Sequence, residues 1–144
     1  MPATKQDRWS DDEVAAMKER AKELKAAKGR GKDKVDGESD LLAKIAAMPA
    51  SDRDMAERIH AIVQANAPEL EPKTWYGMPA WAKDGKVICF FKAADKFKSR
   101  FATFGFEEAA NLDDGSMWAT SWALTKLTPA GEKEIAQLVK KSVS

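Results

Sequence analysis

Apolar positions recur every three or four residues near both ends of the chain and alternate, as short strands do, in the block between. Val14, Met17, Ala21 and Leu24 follow Ser10, which forms a capping box with Glu13 three residues on, so the spacing predicts a first helix with Trp9 as an anchor before it. Leu41, Leu42 and Ile45 predict a second helix, capped by Ser39, running to Met48 and stopped by Pro49. Met55, Ile59, Ile62 and Val63 predict a third, capped by Ser51, with Asp52 and Asp54 in its positive first turn. Ile135, Leu138 and Val139 form the inward stripe of a C-terminal helix that starts at Thr128 and Pro129, a cap followed by proline at the first helical position.

Residues 73 to 106 hold most of the large aromatics and predict tightly connected antiparallel strands. Trp75 and Tyr76 end a first strand, and Trp81 belongs to a second. The Gly77-Met78-Pro79 step between them predicts a bend or bulge, and with it an edge strand or a sheet interruption, because proline donates no ladder hydrogen bond and glycine accepts positive φ. Asp84-Gly85 predicts a type I′ hairpin into Lys86 through Phe91. From Lys96 to Phe106 the aromatics change face, which predicts a bulge or a barrel-like curl, and Met117 to Thr125 alternates as a last strand. The expected architecture is α+β: a curved antiparallel sheet packed against N-terminal and C-terminal helices.

The three glycines and mixed charges of 29 to 38 read as a linker, dividing the chain into a helical extension with linker, 1–38, and an α+β domain, 39–144. A Walker phosphate loop is excluded, since Gly29-Arg30-Gly31-Lys32 has the wrong spacing. With 144 residues, 44% apolar, the chain can bury a core without metals or disulfides. One cysteine, Cys89, packs as a strand residue and implies a reducing compartment. No apolar run approaches a membrane span, so a cytoplasmic location without a membrane partner is expected.

Charge and chemistry narrow the function classes. A formal net charge of +1 argues against a general nucleic-acid binder, and the aromatics lack the RNA-recognition strand pattern. His60 and Cys89 alone complete neither a zinc site nor a nucleophilic constellation, and no catalytic residues can be named. His60 reads as a partly exposed surface group. Five tryptophans exceed what a core of this size needs, and indole N–H groups want partners. Trp75, Tyr76, Trp81 and Trp122, with Gly77 and Pro79 at the bend and Lys73, Lys98 or Arg100 at the rim, therefore outline a cleft for a small anionic or aromatic ligand. Lys83 to Arg100 is basic and Glu107 to Asp114 acidic, a dipolar surface suited to a partner protein or to self-association, and an uncovered sheet edge would serve a homodimer. The acidic segment offers oxygen ligands alone, which suit a hard cation weakly.

Ile45-Ala46-Ala47-Met48-Pro49, Ala67-Pro68-Glu69, and above all Trp75-Tyr76-Gly77-Met78-Pro79-Ala80-Trp81 followed by Gly85 through Phe91 resemble the YdhG-like (DUF1801) family, from Asp40 to Val139. The resemblance implies a small α+β domain with its antiparallel sheet against helices. It also implies an alternative function, because one branch is described as frataxin-like intracellular iron chaperones. Carried to this chain, weak iron binding would rest on exposed carboxylates: Glu69, Glu71, Glu107, Glu108, Asp113 and Asp114. The leading expectation is a noncatalytic binding domain without a cofactor, taking a small ligand or a partner protein near the aromatic cleft.

Overall fold

A computed structural model describes residues 11–30 and 34–144. The anchor Trp9 and the cap Ser10 lie outside the described residues. Four helices, α1 (Asp11–Arg30), α2 (Lys34–Ala46), α3 (Ala50–Asn66) and α4 (Pro129–Ser142), accompany five strands, β1 (Glu71–Trp75), β2 (Met78–Lys83), β3 (Lys86–Lys92), β4 (Ala102–Phe106) and β5 (Ser121–Leu124). Helix α2 starts at Lys34, ahead of the expected cap Ser39, so much of the expected linker is helical.

The sheet is an antiparallel meander in the order β1-β2-β3-β4-β5. It is open, with β1 and β5 as its two edges, which corrects the expected curl. The curl was inferred from aromatics changing face between Phe97 and Phe106, but Phe97 and Phe101 precede the strand. Within β4, Ala102, Phe104 and Phe106 keep one face.

Register sorts the side chains. Cys89 pairs with Phe106, Phe91 with Phe104, and Phe104 with Trp122, which places these residues on one face. Leu41 and Ile45 of α2, Met55, Ile59 and Val63 of α3, and Ile135 and Val139 of α4 meet that face in a single core with Trp81. Leu42, expected inward, is exposed, as are Val14 and Met17 of α1. On the other face Phe90 lies 5.5 Å from Trp75, over Gly105, where a Cβ would stand 2.6 Å from the Phe90 ring.

Both predicted turn signals act through local sterics. Asp84 (φ 52°) and Gly85 (φ 80°) make the two-residue hairpin between Lys83 and Lys86. Tyr76 (φ 52°) and Gly77 (φ 76°) make another between Trp75 and Met78, so the Gly-Met-Pro step is a tight turn entering β2. Strand β2 is interior, not an edge. Its pairing with β3 begins at Ala80, so the missing N–H of Pro79 interrupts no ladder, and the register shift falls later, between Trp81 and Ala82. At the C-terminal helix the Thr128 hydroxyl accepts from Gly131 N at 3.1 Å.

Candidate functional site

The β1–β2 turn, the α2–α3 junction and the loop after β3 converge beneath α1. Positive φ at Tyr76 and Gly77 turns both amides toward α1, where the Glu23 carboxylate accepts from Tyr76 N at 2.9 Å and Gly77 N at 2.8 Å. One helical turn earlier Glu19 accepts from Lys44 Nζ and from Lys96 Nζ, each at 2.6 Å. Lys96 also donates to Gly77 O at 3.3 Å. The Arg20 guanidinium lies 5.4 Å from the centre of the Tyr76 ring, and Lys98 stands 4.0 Å from Asp12.

Lys96 is held in place from below. Asp52, buried in the first turn of α3, accepts from Ala94 N at 3.3 Å and Asp95 N at 3.1 Å. Ser99 N closes the loop on Ala94 O at 2.9 Å. A carboxylate that sequence reading assigned to its own helix terminus thus also shapes a loop distant in sequence.

Between these elements lies a cavity of about 250 Å3. Its floor is apolar, from Met48, Pro49, Pro79 and Phe91, and its rim carries Glu19, Lys44 and Lys96 beside Gly77. The φ of Gly77 suits glycine, and a Cβ there would displace the ends of the Lys96 and Glu19 side chains. Burial alone pushes the Glu19 carboxyl up, but the hydrogen bonds and charges of Lys44 and Lys96 together outweigh it and hold the group below its ordinary 4.5. At the neighbouring strand, burial and the nearby Arg20 push the Lys73 ammonium down from its ordinary value.

Of the sequence-predicted pocket residues, Gly77 and Pro79 line this cavity. The aromatic cleft expected around them does not assemble. Trp81 is fully buried and donates from Nε1 to His60 Nδ1 at 3.1 Å, its ring stacked on the imidazole. Trp75 packs on Tyr76 and Phe90, Trp122 packs edge-on against Phe106, and Arg100 lies over Phe101. His60, expected at the surface, is buried and its Nε2 meets Glu38 at 3.0 Å.

Glu107, Glu108 and Asp113 border a second cavity of about 250 Å3 with Trp118, while Asp114, Glu69 and Glu71 are exposed elsewhere on the surface. Among the described residues no group of three or more His, Cys, Asp or Glu side chains gathers as a metal ion would need, so the six carboxylates form no such group.

Sequence reading passed over Glu19, Glu23, Lys44 and Lys96. The charges of α1 looked like an ordinary solvated face, and the one available signal is that Glu19 and Glu23 stand one turn apart on a helix whose apolar stripe is thin. In the fold Ala16 is buried, whereas Val14 and Met17 of the stripe are 37% and 46% exposed.

Fold and site together define a small α+β domain with three helices sealing one face of an open meander, aromatic clusters on both faces, and a charged cleft at the β1–β2 turn. Among the described residues no helix is long and apolar enough to cross a membrane. Comparison with known proteins finds no match: no family model, no curated relative and no solved structure is similar to the chain.

Proposed function

We propose that this protein is a noncatalytic binding domain whose ligand is a small organic anion, held in the cleft at the Gly77-Met78-Pro79 step. The observation that carries the reading is the convergence of Lys44 and Lys96 on a single carboxylate above an apolar floor. Two ammonium groups aimed at one point, next to Met48, Pro49 and Phe91, suit a molecule with an anionic head and a short carbon body. The Tyr-Gly-Met-Pro segment that carries the YdhG-like resemblance forms this same turn, so membership of that family fits a site here.

Amide NMR tests the reading. Titration with a panel of small carboxylates, acetate through tricarballylate, shifts Gly77, Ala93 and Lys96, and the shifts vanish in Lys96→Met. Absence of any shift there at tens of millimolar ligand overturns it.

A further inference from the structure

Among the described side chains of helix α1, the contacts with the rest of the molecule are mainly charged. Two of its carboxylates, Glu19 and Glu23, occupy two distinct anion-accepting places: the Lys44–Lys96 pair, and the paired amides of Tyr76 and Gly77. Among its described apolar side chains Ala16 is buried, while Val14 and Met17 are exposed. The four side chains of this cradle keep between 11% and 39% of their surface exposed, where solvent and salt screen ion pairs. An element held by few apolar contacts opens at low cost.

We propose that α1 is a ligand of its own domain: Glu19 and Glu23 fill a two-point anion site, and the ligand that replaces them is a small dicarboxylate whose two carboxylates span the same pair of places. This rests on the reading of the cleft as an anion site and names its ligand class and its regulation. The two places adjoin at Gly77, whose N–H donates to Glu23 and whose carbonyl accepts at 3.3 Å from the same Lys96 Nζ that donates to Glu19, so one short dicarboxylate such as glutarate can reach both. The acceptors are built into the body of the domain. Gly77 and Tyr76 owe their amide directions to a hairpin turn, and Lys96 owes its place to the loop tied down by Asp52. A free dicarboxylate therefore competes with α1 for a preformed site, and its apparent affinity is reduced by the fraction of molecules in which α1 is docked.

The experiment compares wild type with the Glu19→Gln/Glu23→Gln variant by amide NMR, using glutarate, acetate and inorganic phosphate as probes. Removing the two internal charges is expected to tighten glutarate binding about tenfold or more, and glutarate added to wild type is expected to move α1 resonances toward their positions in the variant. Lys44→Met/Lys96→Met abolishes binding in both backgrounds. Equal or weaker glutarate binding in the variant overturns the self-ligand while leaving the cleft as an anion site, and binding in neither protein overturns both. Acetate or phosphate binding as tightly as glutarate overturns the two-point geometry. Loss of the Ile88–Phe91 resonances in the variant overturns the inference too, since it would make the two glutamates structural.

Discussion

The Trp81 indole Nε1 donates to His60 Nδ1 at 3.1 Å, and this bond explains why a tryptophan at the centre of the most aromatic segment belongs to the core. Accepting at Nδ1 leaves the imidazole proton on Nε2, which faces Glu38 at 3.0 Å; Glu38 also accepts from Gln64. A chain of polar contacts thus runs from the buried sheet to α2 and α3, and among the described residues no buried side-chain nitrogen or oxygen is left without a partner.

Trp81→Phe keeps an aromatic ring but strips the donor, leaving His60 Nδ1 unpaired in a buried place. Urea denaturation is expected to show a loss of about 1–3 kcal/mol. A variant as stable as wild type would show that the bond contributes nothing net.

Gly77→Ala and Gly85→Ala separate strain from collision. Both positions have φ near +80°, so each substitution is expected to cost about 1–2 kcal/mol in backbone strain. A Cβ at Gly85 meets nothing within 4 Å, whereas one at Gly77 meets Lys96 and Glu19. Hydrogen exchange of α1 amides is expected to accelerate in Gly77→Ala alone, and equal acceleration in both would refute the role given to the Gly77 cradle.

Acid and salt should release α1 before the sheet. The Glu19 carboxyl is held down, so the stability it lends is complete above its ordinary 4.5 and is lost as pH falls through the lowered value. Hydrogen exchange is expected to show α1 losing protection as pH falls below 4.5, and in about 1 M NaCl at neutral pH, with β3 unchanged. Simultaneous loss in both elements would show that α1 is integral to the core.

Cys89 is fully enclosed on the core face of β3, and burial pushes its thiol up. Ellman's reagent is expected to leave the native protein unmodified and to react completely in denaturant. Rapid modification under native conditions would show that the core face of β3 is open to solvent.

Helix stripes and turns follow from short-range rules, so Met55-Ile59-Val63, the Thr128 cap and the Asp84-Gly85 hairpin could all be read from residue spacing. Beginnings of elements were harder. Helix α2 extends back to Lys34 through a glycine, because Gly37 lies against the Pro72 carbonyl with no room for a Cβ, a contact made across the sequence. Strand β4 begins only at Ala102, and the loop before it is pinned at Ala94 and Asp95 by Asp52, 42 and 43 residues away in sequence.

By itself the sequence determined the α+β class, the Asp84-Gly85 turn, a break in the strand at Gly77 and the buried face of α3, since each depends on periodicity or on backbone sterics within a few residues. Only the tertiary structure decided that the sheet stays open, that Trp81 is sealed by His60, and that Glu19 meets Lys44 and Lys96. Those outcomes depend on directed contacts between distant side chains, and a one-dimensional pattern of charges does not say which of many lysines a glutamate will face.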